Sequence, residues 1–161
     1  MRTLTLMRHA KSSWDDPLLD DHDRPLNARG EKAARMMAKR LKAQGYEPDL
    51  VIVSSARRAQ QTAEALQAPY HDTLKIRTEP RLYEATAEDY VDVIREVGNE
   101  VKHLMLIGHN PTIEAMAAQL SGRERRMPTA AYLRVEIPVS WNTYQTAPFK
   151  ELDFDYPKSE R

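Results

Sequence analysis

Two histidines and two arginines stand where phosphate chemistry would use them. Arg8-His9 follows the apolar stretch Leu4-Thr5-Leu6-Met7, and Gly108-His109-Asn110-Pro111 follows His103-Leu104-Met105-Leu106-Ile107. Between them, Ser54-Ser55-Ala56-Arg57-Arg58-Ala59-Gln60-Gln61-Thr62 follows Leu50-Val51-Ile52-Val53 and opens a helical pattern. A neutral imidazole is a competent phosphoryl acceptor, provided that cationic or hydrogen-bond donors surround the non-bridging oxygens and balance the transition-state charge. Arg8 and Arg58 supply bidentate donors, and a protonated His109 would add another. An Arg-His pair by itself also serves as an ordinary polar strand terminus. The weight comes from three separated segments that could converge.

Convergence requires a scaffold that brings strand ends together. Four short apolar runs, roughly 3 to 8, 49 to 54, 103 to 108 and 132 to 137, have the Val, Ile, Leu and Thr content of strands. Helical patterns separate them. From Ala28 to Ala43, Ala33, Met36, Met37, Arg40 and Leu41 recur at three- and four-residue spacings, with Asn27 as the N-cap and Gly45 as the stop. Arg57 to Leu66, Glu88 to Val97 and Pro111 to Leu120 read as three more helices, ended by Pro69, Gly98 and Gly122. Leu152 to Tyr156 is a candidate last strand. Strands alternating with helices predict a three-layer α/β/α sandwich around a mostly parallel sheet, in which the carboxyl ends of the strands line the ligand crevice.

Composition narrows the function classes. The chain reads as a single domain, residues 1–161, with no internal repeat and no long Gly/Ser linker. Lysine plus arginine number 24 and aspartate plus glutamate number 24, so the formal charge is 24 − 24 = 0, which removes the broad electrostatic case for nucleic acid or an anionic membrane. Without cysteine there is neither a disulfide framework nor a thiolate nucleophile, as suits a reducing compartment. The N-terminal apolar run is short and broken by Arg8, unlike an export signal, and no segment approaches the ~20 apolar residues of a membrane span. A soluble, cytoplasmic protein is expected.

Four segments in order make the chain resemble the histidine phosphatase (phosphoglycerate mutase-like) superfamily, and within it the short SixA-like phosphohistidine phosphatases. They are Leu6-Met7-Arg8-His9-Ala10-Lys11-Ser12, Pro25-Leu26-Asn27-Ala28-Arg29-Gly30, Ser54 to Thr62 and Ile107-Gly108-His109-Asn110-Pro111. The resemblance implies that His9 is the nucleophile of a covalent phosphohistidine intermediate, that Arg8, Arg58 and His109 hold the phosphate, and that neither metal nor cofactor takes part. Ala10 stands where glycine is usual in the superfamily, and Lys11 where glutamate is frequent. Adjacent helical residues point about 100° apart, so only one of Arg57 and Arg58 faces the phosphate, and the Arg-Ala-x-x-Thr pattern selects Arg58.

Glu84 falls near the region where many relatives carry a general acid, although a phosphohistidine substrate leaves readily when its own ring is protonated. Ser12 could donate its hydroxyl to phosphate or cap a short turn. The acidic stretch Asp15, Asp16, Asp20, Asp21, Asp23 lacks calcium-loop spacing and reads as a solvated loop. His22, His71 and His103 read as surface or strand-end histidines, and Arg123, Arg125 and Arg126 as a solvated cluster able to meet an acidic partner. Between Thr62 and His103 there is no room for a sizeable cap domain, and an open site suits a phosphorylated protein better than a small ligand. Hydrolysis of phosphohistidine on a protein is the expected activity; a small-molecule phosphate-ester phosphatase and a non-catalytic phosphoprotein-binding module are the alternatives.

Overall fold

A computed structural model describes residues 1–159. Along the chain lie β1 (Arg2–Arg8), α1 (Ala28–Ala43), β2 (Leu50–Ser54), α2 (Arg57–Gln67), β3 (Ile76–Glu79), α3 (Ala87–Arg95), β4 (His103–Gly108), α4 (Thr112–Ser121), β5 (Tyr132–Ile137) and β6 (Glu151–Asp155). They form one six-stranded sheet in the order β3-β2-β4-β1-β5-β6. β3, β2, β4 and β1 run parallel, and β5 is antiparallel to both β1 and β6. The expected α/β/α sandwich with a mostly parallel sheet is present. Between β2 and β4 the chain holds only α2, β3, α3 and short 3-10 turns, with no cap domain.

Strand alternation explains the two layers. Leu4, Leu6, Ile52, Leu104 and Leu106 pack on one face with Tyr90, Val93 and Ile94 of α3 and Ile113, Met116 and Leu120 of α4. Met7, Val51, Val53, Met105 and Ile107 pack on the other with Met37 and Leu41 of α1 and Ala63 and Leu66 of α2. Burial on both faces is why these strands read as continuous apolar runs. Among the described residues no helix is long and apolar enough to cross a membrane.

Three expectations need correction. The stripe that α1 buries is Gly30, Ala34, Met37, Ala38 and Leu41, while Ala33, Met36 and Arg40 lie at its margin. Alanine carries too little apolar area to mark a face, so the sequence pattern shares Met37 and Leu41 with the buried face but places its centre about one residue's rotation off. Ile76–Glu79, which is not among the apolar runs expected to be strands, forms the parallel edge strand β3, whose Arg77 and Glu79 mask its period before Pro80 ends it. Arg123 and Arg125 are not a free basic cluster, because both pair with Glu151.

β1 and β4 are neighbours, with Arg8 opposite Gly108. The chain leaves β1 for α1 on one face and leaves β4 for α4 on the other. Such a reversal opens a crevice at the strands' carboxyl ends, where His9 and His109 emerge.

Candidate active site

The His9 main chain is pinned from several sides. Its amide donates to Gly108 O (3.1 Å), the Arg8 amide to Ala131 O (3.0 Å), and the Ala130 amide to His9 O (3.0 Å). The Ala10 amide donates to Thr62 Oγ1 at 3.0 Å, and Thr62 itself donates to Arg58 O. The threonine of the Arg-Ala-x-x-Thr segment thus has a physical role, since its one hydroxyl ties the first turns of α2 to the loop after His9. Ala10 is fully buried and does not have a positive φ, so no glycine is required there.

The Pro25–Gly30 segment anchors the same loop. Asn27 caps α1 by accepting from the Gly30 amide (2.7 Å), and its own amide donates to Lys11 O (3.0 Å). A Cβ on Gly30 would stand 2.0 Å from Lys11 O, so the close approach of helix and loop demands glycine.

Four side chains converge on the crevice. His9 is 7%, Arg58 6% and His109 9% exposed, and the His9 and His109 ring centroids are 5.0 Å apart. His9 Nδ1 lies 2.7 Å from Ala10 O. A carbonyl only accepts, so Nδ1 carries the proton and the lone pair is on Nε2. Arg58 Nε donates toward that Nε2 at 3.4 Å. Arg8 Nη1 donates to Met127 O, while Arg8 Nε and His109 Nδ1 are buried polar atoms without a partner among the described residues. His109 Nε2 meets Ser54 Oγ at 2.7 Å. With Ser54 as donor in that contact, the His109 proton sits on the unpartnered Nδ1. Arg57 is exposed, as expected.

Both imidazoles are held neutral. Burial, reinforced by His109, Arg58 and Arg8, pushes His9 down to about 3 against the opposing pull of the Ala10 carbonyl. Burial and Arg58 push His109 down to about 4, so the free protein holds His109 neutral and the condition under which it would add a cation is not met before an anion binds. Neither ring should therefore titrate between pH 5 and 8 in the free protein, which imidazole NMR would show directly. Both folded-state values lie below the ordinary 6.5, so the unfolded chain binds more protons on acidification, and stability must fall as pH drops from about 6.5 toward 4. A melting temperature that rises on acidification over that interval would contradict these assignments.

One carboxylate without a signal in the sequence organises the arginines. Asp21 Oδ2 accepts from Arg58 Nη2 (3.1 Å) and Tyr83 Oη (2.6 Å), Asp21 Oδ1 accepts from Arg24 Nε and Nη2, and the Asp21 carbonyl accepts from Arg58 Nη1 (2.8 Å). The Tyr83 hydrogen bond, with Arg58 and Arg24, holds its carboxyl down at about 2. The acidic stretch is thus not wholly a solvated loop, although no group of three or more His, Cys, Asp or Glu suited to a metal occurs among the described residues. Arg58 presents Nε to His9 while both its terminal nitrogens rest on Asp21. His22 also belongs to the rim, bonded to Ser55 Oγ and set edge-on to Tyr83. Its neighbours come from distant segments, which no spacing signals.

Ser12, Arg24 and Trp14 line a cavity of about 360 Å³ with Arg8, His9 and Arg58. The Ser12 hydroxyl accepts from Arg24 Nη1 at 2.7 Å, and the Arg24 guanidinium stacks on Trp14, 3.4 Å from the ring centre. Glu84 is exposed, sits at φ 50°, and lines an adjoining cavity that also touches Arg58 and His109. A non-glycine residue held in the left-handed region is uncommon.

Residues 4–111 match the model of the histidine phosphatase superfamily (branch 1). An uncharacterized chloroplast protein of Arabidopsis thaliana is 35% identical over 137 residues, covering 80% of this chain and 63% of that one. An uncharacterized protein of Mycobacterium tuberculosis is 32% identical over 165 residues, covering 94% of this chain and 100% of its own. The crystal structure of a candidate phosphohistidine phosphatase SixA from Agrobacterium tumefaciens superposes with a TM-score of 0.84 at 30% identity, covering 97% of this chain and 98% of that one. The four sequence segments, the sheet order and these likenesses agree, and the chain belongs to the histidine phosphatase superfamily (branch 1), as a SixA-like member.

Proposed function

We propose that this protein is a metal-independent phosphatase that removes phosphate from phosphohistidine on another protein, through a covalent intermediate on His9. The observation that carries the proposal is the His9 tautomer: a buried neutral imidazole with Nδ1–H fixed on Ala10 O and its Nε2 lone pair facing Arg58. In the first step Nε2 attacks phosphorus, the Nε2–P bond forms, and the P–N bond of the substrate breaks with its electron pair passing to the departing nitrogen. A substrate ring protonated on its other nitrogen leaves as neutral imidazole. His9 keeps its Nδ1 proton throughout, so the phosphorylated ring is cationic and itself a good leaving group. Water then attacks phosphorus, inorganic phosphate departs, and His9 returns to its neutral form. Arg8, Arg58 and the His109 Nδ1–H supply donors to the non-bridging oxygens. Anionic phosphate raises the histidine values again, so His109 becomes a better donor once substrate is bound.

The open, capless crevice supports a protein substrate over a small one. The SixA likeness of the Agrobacterium structure points the same way. A substrate panel tests the reading: a phosphohistidine protein or peptide should be turned over with a higher kcat/KM than phosphoserine peptide or small esters. Exhaustive chelation should leave turnover intact, and vanadate should inhibit. Loss of activity in EDTA with recovery on adding a divalent metal would overturn metal independence.

Glu84 distinguishes the phosphohistidine reading from the small-ester alternative. A ring that leaves protonated needs little help, whereas an alkoxide needs a proton donor. Glu84→Gln is therefore expected to cost less than about threefold in kcat/KM on a phosphohistidine peptide and about 10²-fold on an alkyl phosphate. Equal large losses on both would favour a general phosphate-ester phosphatase.

A further inference from the structure

The crevice extends beyond the four side chains gathered at His9. The cavity at His9 joins a second cavity of about 340 Å³ through Arg58, His109 and Asn110, and that arm carries the carboxylates of Asp21 and Glu84. On its other side it joins a third cavity, of about 390 Å³, through Lys11 and Thr129. This third arm carries Lys11, Arg29 and Lys158 over a floor that includes Ala33, Pro128 and Tyr156. The arms share no lining residue, so the groove runs past His9 with three cations in one arm and, in the other, Glu84 and the arginine-paired Asp21.

The basic arm is built at a cost to the fold. Arg29 lies in the first turn of α1, at the positive end of the helix dipole, where an anion rather than a cation is favoured. The cap is already filled by Asn27. None of Lys11, Arg29 and Lys158 has an ion-pair partner among the described residues, so all three are available to an incoming anion. Three cations without an ion-pair partner among the described residues, beside an apolar floor, suit the carboxylate and methylenes of a glutamate or aspartate. A groove that continues past the reacting group on both sides suits a polypeptide.

Resting on the phosphohistidine reading above, we infer that the arm formed by Lys11, Arg29 and Lys158 binds acidic side chains flanking the phosphohistidine on one side of the substrate chain. The enzyme thereby selects both the sequence around its target and the direction in which the chain lies.

Three synthetic phosphohistidine peptides test this, one with neutral flanks, one with glutamates only on the N-terminal side and one with glutamates only on the C-terminal side. One acidic peptide should exceed the neutral one by about fivefold to tenfold in kcat/KM, mainly through KM, as expected for two or three solvent-exposed ion pairs. The doubly substituted Arg29→Gln/Lys158→Gln protein should lose that preference and keep its kcat/KM on the neutral peptide within about twofold. Equal rates on all three peptides, or a preference that survives the double substitution, would overturn the inference and leave the phosphohistidine reading standing. Failure on every phosphohistidine peptide by a protein that still hydrolyses a small ester would overturn both.

Discussion

Replacing His9 by alanine is expected to lower kcat/KM on phosphohistidine by about 10³-fold or more, roughly 4 kcal/mol of barrier, while the protein stays folded. The loss should be that large because no other group in the crevice can take over the bond to phosphorus. His109 is held through Ser54, and Arg8 and Arg58 have no lone pair to offer. The fold should survive because the side chain stands beyond the end of β1, and its surroundings are fixed by main-chain bonds that alanine retains. Removing a group whose ionised form is disfavoured by burial should also reduce the acid sensitivity of the melting temperature. An alanine variant within tenfold of the wild type would contradict nucleophilic catalysis by His9.

The second large effect belongs to Arg58. Its alanine variant should lose about 10²–10³ in kcat, the usual loss for a donor aimed at developing transition-state charge, whereas Arg57→Ala should stay within about twofold. The structure gives the reason: Arg58 is buried, with Nε toward His9 and its terminal nitrogens on Asp21, and Arg57 is exposed. Matched melting temperatures are needed, since Arg58 also joins α2 to the Asp21 turn. Steady-state rates of the two variants make the comparison, and a more damaged Arg57→Ala would reverse the assignment.

Asp21 changes how Arg58 works. The sequence suggests a guanidinium fork free to grip phosphate, but both terminal nitrogens are engaged before substrate arrives. The carboxylate fixes the guanidinium and keeps Nε directed at His9 Nε2. It also partly neutralises a charge that would otherwise be buried without a partner.

What can be read without coordinates is whatever depends on local pattern. Asn27 as cap and α1 from Ala28 to Ala43 follow from spacing within one turn or two, and the burial of Arg58 with Arg57 exposed agrees with the Arg-Ala-x-x-Thr pattern of the family resemblance. The strand ends carrying His9 and His109 follow from apolar runs that stop at a charged or polar residue. What escapes are features made across the chain. Asp21 meets Arg58 and Tyr83 over separations of 37 and 62 residues, and nothing in the acidic stretch marks it apart from Asp20 or Asp23. His22 escapes for the same reason. The protonation of His109 stays open in the sequence because burial, which sets the direction of its shift, is a tertiary property. β3 escapes because Arg77 and Glu79 break the apolar run of a strand that needs only one neighbour to form.

Passage of phosphate through a covalent bond to His9 is tested most directly by rapid quenching of the enzyme during turnover. Protein denatured in alkali, which preserves phosphoramidates, and digested for mass spectrometry should carry an acid-labile phosphate on the peptide containing His9, formed and lost at rates compatible with kcat. Competent turnover with no phosphate on His9 at any quench time, or with phosphate on another residue, would contradict the account.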